Sequence, residues 1–532
     1  MYRILITDDL SREGLAILDA APDVQYDVIK RPPRQELLAR ARDYDAIIIR
    51  SGTPLDAEVF AAAAPRLRVV GRAGVGLDNL DVAAATRHGV LVMNTPEANT
   101  LAAVEHTLAM MLALCRRIPQ AHASLRAGAW ERSKFMGIQL SGRVLGIIGL
   151  GRIGSRVAAR CQALGMEVIA YDPYISEDVA ERLRVELVAE LDELLARSDI
   201  ITMHMPLTEE TRGMLGEAQF ARMKDGVRII NCARGAIVDE GALYRALVSG
   251  KVAGAALDVF SEEPPRSETL RALLALDNLV ATPHIGASTV EAQQDASVQI
   301  VRGVLSALRG EGYPHAVNLP FAEGADYQAL LPYLRLAEKI GSLQMQLIRG
   351  RVNRVEVDVQ GEEIANQVKA ITVALLKGLL APILKDTVNY VNAPALAAER
   401  GITVAQVHRE ESGDYPNLIS CRVISTQEAR LVEGSLFSRA RPRIVRIDEY
   451  PMDVQPVGNI LIISSRDVPG VMGRIGTILG KHNLNIAEWR LGRTAPGEWE
   501  LSFINMDSPV PDEVIREIAA SGTVRDVRQV VL

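Results

Sequence analysis

The chain has 532 residues, of which 48% are hydrophobic and 23% charged, and its formal net charge at pH 7 is −7. This length predicts roughly three or four domains, and the negative charge argues against nonspecific nucleic-acid binding. No apolar run approaches the ~18 residues that cross a membrane, and the first residues lack a signal-peptide pattern, so a cytoplasmic protein is expected. The scattered cysteines lack metal-ligand spacing, so we expect reduced thiols and no metal site.

A parallel sheet with helices on both faces is predicted for the N-terminal region, where strands and helices alternate. Apolar runs predict its strands at Tyr2–Thr7, Tyr44–Ile49, Leu67–Val70 and Val90–Met93. Ligands of such sheets bind outside the carboxyl ends of the strands. Arg50 and the loop Gly74–Gly76 follow two of these strands, so a guanidinium and several N–H groups are predicted to form an anion site. The alternative for Arg50 is a surface residue that caps its strand.

A long helix is predicted from about Thr100 to Arg116, after a turn at Asn94–Asn99. Its apolar residues cover much of the circumference, which indicates burial and is compatible with a subunit interface. Asn99 suits the N-cap of this helix.

The segment Val144–Asp172 carries the pattern of a dinucleotide-binding unit. A buried strand is predicted at Val144–Ile148, a helical stretch at Ser155–Leu164, and a second strand at Glu167–Tyr171. The glycines between the first strand and the helix, Gly149, Gly151 and Gly154, have G-x-G-x-x-G spacing. Such glycines allow a tight turn, backbone approach to a pyrophosphate and close packing of helix on strand.

Asp172 follows the second strand, where a carboxylate can accept hydrogen bonds from both ribose hydroxyls. A carboxylate at this point would repel a 2′-phosphate, so NAD is favoured over NADP. The helix N-terminus adds free N–H groups that face the phosphates. The alternative is a glycine-rich turn in some other α/β fold.

Strand and helix alternation continues after Asp172, with strands predicted at Ile200–Met203, Val227–Asn231, Gly254–Leu257 and Leu279–Ala281. The carboxyl ends of strands in one doubly wound sheet share an edge. Arg234, Glu263 and His284 follow three of these strands, so they are predicted to converge.

These residue types fit the oxidation of a 2-hydroxy acid, in which oxygen loses a proton and carbon loses a hydride to NAD. His284 is predicted as the base, because an imidazole titrates near neutral pH. Glu263 is predicted to fix its tautomer, and Arg234 to bind the substrate carboxylate with two hydrogen bonds. The alternatives are a strand cap for His284, an acidic turn for Glu263 and a surface ion pair for Arg234.

The pattern changes between Ala316 and about Asn459, where helical stretches (Tyr327–Gln346 and Glu363–Leu384) mix with strands and no catalytic group stands out. A mildly basic cluster there is more typical of a solvated face than of an anion site: Arg439, Arg441, Arg443 and Arg446. The last segment, Asn459–Leu532, has the βαββαβ order of the ferredoxin-like arrangement.

Motifs along essentially the whole chain resemble those of the D-isomer-specific 2-hydroxyacid dehydrogenases: GRAGVGLDN, MNTPEAN, WERSKFMG, NCARGAIVDEGAL, ALDVFSEEPP, TPHIGAST and VNYVNAPALAAERGI. The resemblance implies an α/β fold class with two doubly wound parallel-sheet domains, one Rossmann-type and one flavodoxin-like. It adds an intervening α+β regulatory domain and a C-terminal ferredoxin-like ACT domain. The implied boundaries are 1–95 with 287–315 for the substrate-binding domain, 96–286 for the NAD-binding domain, 316–458 for the intervening domain and 459–532 for the ACT domain.

The same resemblance implies that His284, Glu263 and Arg234 are the catalytic residues. The NAD contacts that it implies are Val75, Gly149, Gly151, Arg152, Ile153, Gly154, Asp172, Met205, Cys232, Ala233, Arg234, Asp258, His284, Ile285, Gly286 and Ala287. The implied substrate contacts are Arg50, Ser51, Gly74, Val75 and Asn99. The implied effector contacts are Ser465, Asp467 and Asn485, although Ser465 is smaller than the His or Tyr of some relatives. In some relatives, residues matching Trp130 and Arg132 reach the neighbouring subunit's site.

The implied activity is the NAD-dependent oxidation of 3-phospho-D-glycerate to 3-phosphohydroxypyruvate, the first step of L-serine biosynthesis, in a homo-oligomer that is a dimer or a tetramer. L-serine is the expected effector, and a side reduction of 2-oxoglutarate stays open. The alternatives are a glyoxylate or hydroxypyruvate reductase of the same superfamily and an NAD-sensing binding protein on the same scaffold. Arg50 and the ACT-like segment favour the phosphorylated substrate. No nucleic-acid or membrane partner is expected.

Overall fold

The computed structural model describes residues 1–319, 327–410, 413–438 and 441–532, with all side chains in these ranges except that of Asp386. The chain forms two compact units. The first unit consists of Met1–Asp9, Leu15–Thr95 and Ile300–Leu532, and the second of Leu10–Gly14 and Pro96–Gln299. Arg439 of the predicted basic cluster lies outside the described residues.

The N-terminal sheet is built from β1 (Tyr2–Ile6), β2 (Val24–Val28), β3 (Ala46–Ile49), β4 (Val69–Arg72) and β5 (Leu91–Met93). The helices along this part of the chain are α1 (Arg12–Asp19), α2 (Arg34–Ala41), α3 (Ala57–Ala63) and α4 (Val82–Arg87). All neighbouring strands are parallel, in the order β2-β1-β3-β4-β5, which confirms the flavodoxin-like prediction. The sheet has an edge strand, β2, that the sequence did not predict, because its VQYDV segment is largely exposed and lacks an apolar run.

The second sheet contains β6 (Val144–Ile148), β7 (Glu167–Tyr171), β8 (Glu186–Leu187), β9 (Ile200–Met203), β10 (Val227–Asn231), β11 (Val252–Leu257) and β12 (Leu279–Ala281). Its strands are all parallel in the order β12-β11-β10-β9-β6-β7-β8, which is the Rossmann order extended by one strand. The helices are α5 (Thr100–Arg116), α6 (Ile118–Arg126), α7 (Arg152–Ala163), α8 (Glu177–Leu183), α9 (Leu191–Arg197), α10 (Glu217–Arg222), α11 (Glu240–Val248), α12 (Glu268–Leu274) and α13 (Val290–Arg309). Short 3-10 turns occur at Arg132–Phe135 and Gly235–Ile237.

A mixed six-stranded sheet follows in the first unit, with β14-β13-β15-β16-β17-β18 as its order. Its strands are β13 (Val352–Gln360), β14 (Thr403–Arg409), β15 (Leu418–Ser425), β16 (Ala429–Phe437), β17 (Arg441–Ile447) and β18 (Tyr450–Val454). Its helices are α14 (Tyr327–Leu347), α15 (Val368–Leu384) and α16 (Ala393–Glu399), with 3-10 turns at Ala365–Gln367 and Lys385–Thr387. The helices and the sheet share one apolar core, as an α+β arrangement requires.

The segment Ala365–Leu384 is long and apolar enough to cross a membrane by composition, contrary to the expectation that no run approaches that length. However, 56% of its most apolar window is buried within the protein. It also crosses α14 closely, since a Cβ atom on Gly378 would lie 2.0 Å from the carbonyl oxygen of Glu338. The apolar run is therefore explained by a core helix.

The C-terminal segment contains β19 (Asn459–Arg466), α17 (Val471–Lys481), β20 (Ile486–Arg493), β21 (Trp499–Met506), α18 (Asp512–Ala519) and β22 (Val524–Val531). The antiparallel sheet has the order β20-β21-β19-β22, which confirms the ferredoxin-like prediction. The side chains of α17 and α18 pack on one face of this sheet. Ile460, Ile462 and Phe503 join the core of the preceding α+β region instead.

The strand β5 is held by residues from later in the chain. The side-chain amide of Asn389 donates to the Gly89 carbonyl at 2.8 Å, just before β5. Asn318 pairs with the strand itself, because its Oδ1 accepts from Val92 N at 2.9 Å. The α+β region is therefore hydrogen-bonded to the N-terminal region within the first unit.

Candidate active site

The glycine-rich turn after β6 has a distinct physical reason for each glycine. Gly149 has a φ of +92°, which favours glycine. A Cβ atom on Gly154 would lie 2.1 Å from the Gly149 carbonyl oxygen, so this position requires close packing of α7 on the turn. A Cβ atom on Gly151 would meet nothing within 4 Å, so the protein itself does not require glycine there. Close approach of a bound phosphate group explains the glycine at position 151.

Asp172 connects the end of β7 to this turn. Its Oδ2 accepts from Leu150 N at 2.8 Å, and its Oδ1 accepts from Tyr174 N at 2.9 Å. A carboxylate oxygen has a second lone pair, so both oxygens keep capacity for a ribose hydroxyl. The helix α7 begins after Gly151 without a side-chain N-cap, and the N–H groups at a helix N-terminus suit an anion. This turn fits a dinucleotide.

Glu263 and His284 lie on neighbouring loops after β11 and β12. His284 Nδ1 is 2.7 Å from Glu263 Oε2, and both side chains are partly exposed. The other carboxylate oxygen, Glu263 Oε1, accepts from Phe260 N at 3.1 Å. The bond to Glu263 raises the pKa of His284, against the effect of burial. Burial opposes ionisation of Glu263, but the bonds from His284 and Phe260 N outweigh it and lower the pKa of Glu263.

Arg234 follows β10 and is held through its backbone carbonyl and its guanidinium. The Asn231 side-chain amide donates to the Arg234 carbonyl at 2.9 Å, and Arg234 Nη1 donates to the Ala233 carbonyl at 2.7 Å. Its positive charge is close enough to His284 to act on the pKa of that imidazole, which it lowers slightly. The structure thus joins Glu263 to His284 by a hydrogen bond and brings Arg234 within range of the pair by its charge.

The loop that carries His284 is fixed by hydrogen bonds to the buried carboxylate of Asp258, which is 1% exposed. One carboxylate oxygen accepts from Thr282 Oγ1 at 2.6 Å and Ile285 N at 2.8 Å, and the other accepts from Gly286 N at 2.8 Å. Burial opposes its ionisation, but bonds from His106, Thr282 and these amides lower the pKa of Asp258 overall. Both carboxylate oxygens of this predicted cofactor residue thus accept hydrogen bonds from the loop that carries His284.

The other predicted cofactor residues of this unit follow strands of the seven-stranded sheet, at its carboxyl edge: Arg152, Ile153, Met205, Cys232, Ala233, Ile285, Gly286 and Ala287. Burial raises the pKa of the Cys232 thiol to about 12, so the sulfur stays protonated at neutral pH. Burial also lowers the pKa of His204 to about 4, so this neighbouring imidazole is neutral. His284 is therefore the histidine at this edge whose pKa is shifted upward.

Four of the predicted substrate residues lie in the first unit, at the carboxyl edge of its parallel sheet. Arg50 N donates to Asp8 Oδ2 at 2.7 Å, and the Arg50 carbonyl accepts from Asn79 at 2.8 Å. Ser51 follows Arg50 directly. Gly74 has a φ of +146°, and Val75 accepts from the Asn94 side chain through its carbonyl at 2.8 Å. Val75, the predicted cofactor contact outside the second unit, belongs to this loop.

Asn99, the remaining predicted substrate residue, lies in the second unit before α5. It occupies the N-cap position, but its side chain makes no cap hydrogen bond. Its Oδ1 is buried and has no hydrogen-bond partner among the described residues. Capping therefore does not explain this asparagine, whereas a ligand with a hydrogen-bond donor would.

The predicted effector residues occupy different environments in the C-terminal domain. Ser465 is fully buried, and its hydroxyl donates to Glu500 Oε1 at 2.9 Å. Asp467 accepts from Arg493 Nη1 at 3.0 Å, and Asn485 donates to Asp507 at 2.5 Å. No hydrogen bond joins the three to one another in the described part of the chain. Glu500, which sequence reasoning missed, has its pKa raised by burial.

Comparison with known proteins gives three family matches. Residues 108–286 match the NAD binding domain of D-isomer specific 2-hydroxyacid dehydrogenases, residues 329–448 match the D-3-phosphoglycerate dehydrogenase intervening domain, and residues 459–522 match the ACT domain. The chain is 43% identical to the D-3-phosphoglycerate dehydrogenase of Archaeoglobus fulgidus over 532 residues, 100% of both chains. It is 43% identical over 527 residues to that of Methanocaldococcus jannaschii, covering 99% of each chain.

This chain belongs to the D-3-phosphoglycerate dehydrogenase family.

Solved structures resemble part of this chain. The TT0316 protein from Thermus thermophilus is 35% identical with a TM-score of 0.55, covering 59% of this chain and 99% of that one. D-lactate dehydrogenase from Aquifex aeolicus, complexed with NAD and lactic acid, is 31% identical with a TM-score of 0.52, covering 58% and 96%. This member of the family is an NAD-dependent oxidoreductase, and the open face at Gly151 and the carboxylate of Asp172 fit NAD as its cofactor.

Sequence reasoning missed two supporting side chains of the site. Glu240, 9% exposed, accepts hydrogen bonds from the backbone N–H and the hydroxyl of Ser261. His106 Nε2 lies 3.2 Å from both Thr282 Oγ1 and Asp258 Oδ1. The only signal for Glu240 was its place in the NCARGAIVDEGAL motif, and His106 gave none beyond its position on a mostly apolar helix.

Proposed function

We propose that this chain oxidises 3-phospho-D-glycerate to 3-phosphohydroxypyruvate with NAD, as the first step of L-serine biosynthesis. The observation that carries the proposal is the 2.7 Å contact between His284 Nδ1 and Glu263 Oε2 at the carboxyl edge of the NAD-binding sheet. The full-length similarity to proteins named D-3-phosphoglycerate dehydrogenase supports the choice of substrate.

His284 is the base of this reaction. Its Nδ1 is committed to Glu263, which leaves Nε2 to accept the proton of the substrate 2-hydroxyl. The Glu263 carboxylate stabilises the imidazolium that forms, and the same imidazolium returns the proton in the reverse reaction. NAD, when bound, accepts the hydride from the adjacent carbon.

Arg234 binds the substrate carboxylate and polarises the developing carbonyl. A planar guanidinium can donate two parallel hydrogen bonds to one carboxylate, which fixes the reacting carbon in one orientation. Arg50, Ser51, Gly74, Val75 and Asn99 complete the substrate contacts. Arg50 supplies positive charge for the phosphate, and the N–H groups of the Gly74–Val75 loop supply donors.

The NAD contacts fall into two groups by chemistry. Gly149, Gly151, Arg152, Ile153 and Gly154 bind the pyrophosphate through the turn and the helix N-terminus, and Asp172 binds the adenosine ribose. The proposed contacts of the nicotinamide half are Val75, Met205, Cys232, Ala233, Arg234, Asp258, His284, Ile285, Gly286 and Ala287. Asp258 acts through the backbone that it holds.

The chain works as a homo-oligomer, either a dimer or a tetramer, and α5, α6 and the following loop form one interface. Large apolar side chains are exposed along this stretch, among them Ile118, Leu125, Trp130 and Met136, and Trp130 is 75% exposed.

An apolar cavity of about 430 Å³ next to His284 is lined by Pro264, Pro265 and Leu274. Trp130 and Arg132 reach the neighbouring subunit's site, so Trp130→Ala should lower both oligomer size in sedimentation and kcat.

The protein acts in the cytoplasm. L-serine is the effector of its ACT domain. The predicted contacts are Ser465, Asp467 and Asn485. A titration of L-serine to millimolar concentration should lower the rate in the wild type. Flat activity across that titration would exclude serine as the effector under those conditions.

A substrate panel tests the reaction. NADH absorbance is followed with 3-phosphoglycerate, glycerate and lactate in parallel, and the phosphorylated substrate should give the highest kcat/KM. Arg50→Ala should lower kcat/KM for 3-phosphoglycerate more than for glycerate, whereas Arg42→Ala, a change at an exposed arginine, should alter neither. Equal rates on all substrates would contradict the phosphate-binding role of Arg50.

The second candidate is a glyoxylate or hydroxypyruvate reductase of the same superfamily, favoured by the similarity to solved enzymes of this class over 58–59% of the chain. The same assay in the reverse direction, with hydroxypyruvate, glyoxylate and 2-oxoglutarate, separates it. NADH binding without turnover on any substrate would instead indicate an NAD-sensing binding protein.

A further inference from the structure

The loop that carries Glu263 is held by a second carboxylate. Ser261 N donates to Glu240 Oε1 at 2.7 Å, and the Ser261 hydroxyl donates to Glu240 Oε2. One residue earlier, Phe260 N donates to Glu263 Oε1 at 3.1 Å. Two adjacent amides of one turn are therefore each bonded to a different carboxylate.

Glu240 is largely buried, with 9% of its surface exposed. It is the first residue of α11, where the aligned peptide dipoles favour negative charge. Both of its oxygens accept a hydrogen bond from Ser261, and charge-assisted bonds of this kind are stronger than neutral ones. A shorter side chain, or one with a single acceptor oxygen, would lose at least one of the two bonds.

The position of Ser261 determines the position of the Glu263 carboxylate. Phe260 and Ser261 are consecutive residues, so a shift of Ser261 moves the amide that fixes Glu263 Oε1. A Cβ atom on Gly235 would lie 2.0 Å from the Phe260 carbonyl carbon, so the turn after Arg234 supports the same peptide from the other side. The turn is therefore fixed by Glu240 through hydrogen bonds and by Gly235 through contact.

We propose that Glu240 is a positioning residue for the reaction, which holds the Phe260–Glu263 turn so that the Glu263 carboxylate stays within hydrogen-bond distance of His284. The inference rests on the proposed function, because it assigns Glu240 a task only if the Glu263–His284 pair transfers the proton. Glu240 itself has no contact with substrate in this proposal. It acts through Ser261, Phe260 and Glu263 in turn.

A positioning role makes a different prediction from a purely structural one. If Glu240 only stabilised the fold, its replacement would lower thermal stability and NAD affinity and would act independently of Glu263. If it positions Glu263, its replacement lowers kcat and leaves KM and NAD affinity near their wild-type values. It also shifts the pH profile, because a looser Glu263 no longer raises the pKa of His284 fully. The other charged groups that act on His284, Asp258 and Arg234, are unchanged by the substitution.

The test uses Glu240→Gln and Ser261→Ala, each alone and combined with Glu263→Gln, in the full-length enzyme with 3-phosphoglycerate and NAD. Each single variant should lower kcat by roughly tenfold, within the hundredfold that a 1 Å misplacement can cost. The acid limb of the kcat/KM profile should move to lower pH. In the Glu263→Gln background, the same changes should add less than about twofold, since the two sites then no longer couple.

Matched controls separate the outcomes. Glu217 also opens a helix, α10, but is exposed and pairs with Arg245, so Glu217→Gln should leave the pH profile unchanged. Ser261→Thr keeps the hydroxyl and should restore most of the rate lost in Ser261→Ala. Equal losses with and without Glu263→Gln, or losses that follow thermal stability, would overturn the positioning role. An unchanged kcat in Glu263→Gln itself would instead overturn the proposed catalytic pair.

Discussion

Leu150 N donates to Asp172 Oδ2 at 2.8 Å, so one carboxylate holds the glycine-rich turn and stands at the position expected for the adenosine ribose. The bond connects the carboxyl ends of β6 and β7, which are neighbouring parallel strands. A ribose hydroxyl that binds Asp172 would therefore contact a group already fixed relative to the phosphate-binding turn. Affinity gained in this way needs little further ordering of the site.

Asp172→Ala should weaken NAD binding by about tenfold or more, because hydrogen bonds to a charged group are worth roughly 1.5–3 kcal/mol. Asp172→Asn should weaken it less, since the amide oxygen can still accept from Leu150 N. NADH fluorescence titration measures both. Asp178→Ala, which removes an exposed carboxylate on α8, should bind NADH like the wild type. Equal affinity of Asp172→Ala and wild type would contradict the role of Asp172.

The rate of oxidation should rise with pH through the pKa of His284. The bond to Glu263 raises this pKa above its ordinary value of 6.5, and only the neutral imidazole can accept a proton. Reduction needs the imidazolium, so its rate should fall over the same range. Glu263→Gln removes the charge that favours the imidazolium, so the acid limb of oxidation should move to lower pH. Initial rates of oxidation are measured from pH 5 to 9, with Glu262→Gln as the control. An acid limb of Glu263→Gln at the wild-type position would mean that Glu263 has another role.

His284→Ala should lower kcat by about 10²–10⁴, the usual contribution of a positioned general base. NAD affinity should change little, because the pyrophosphate and ribose contacts lie on other strands. Stopped-flow or steady-state NADH absorbance gives kcat, and NADH titration gives the affinity. A loss of turnover explained entirely by lost NADH binding would argue against proton transfer by this residue.

Local patterns in the sequence were sufficient to predict the frame of both parallel sheets. The AIII run of β3 is buried on both faces, and the glycine spacing between β6 and α7 has a physical reason at each position. β2 and the two-residue β8 were missed because edge strands carry exposed residues and depend on a neighbour for their hydrogen bonds. The ranges of the domains stay a prediction.

The site could be predicted as a set of residues but not as a connected structure. The sequence predicts that Arg234, Glu263 and His284 converge, because they follow parallel strands that share a carboxyl edge. The bond between Glu240 and Ser261 spans 21 positions and depends on how α11 packs beside the turn, which no local pattern contains. Ser465 illustrates the same limit. It is fully buried and lies opposite Glu500 on the neighbouring strand, a pairing that no local pattern contains.

Gly235→Ala should lower kcat and stability together. A Cβ atom at this position would lie 2.0 Å from the Phe260 carbonyl carbon, and backbone cannot move aside as a flexible side chain can. Overpacking of this kind costs roughly 1–3 kcal/mol, and it displaces the turns of Arg234 and Glu263 at once. Thermal unfolding and kcat are measured together. Gly216→Ala, where the new Cβ would meet only ordinary contacts at 3.5 Å, should resemble the wild type in both.

Glu500→Gln should stabilise the C-terminal domain at neutral pH. Burial raises the pKa of Glu500, so the folded state binds more protons than the unfolded state between the two pKa values. Stability attributable to this group therefore falls as pH rises from the unfolded pKa through the folded one, and the penalty is complete only above the folded pKa.

Glutamine is neutral and can still accept from the Ser465 hydroxyl, so it removes the penalty and keeps the bond. The thermal midpoint of the full-length protein at pH 7 should rise by about 2–4 °C, and the difference from wild type should shrink as the pH is lowered toward 4.5. Glu498→Gln, at an exposed neighbouring carboxylate, should leave the midpoint unchanged. A lower midpoint in Glu500→Gln at pH 7 would mean that the ionised carboxylate contributes net stability through its hydrogen bond from the Ser465 hydroxyl.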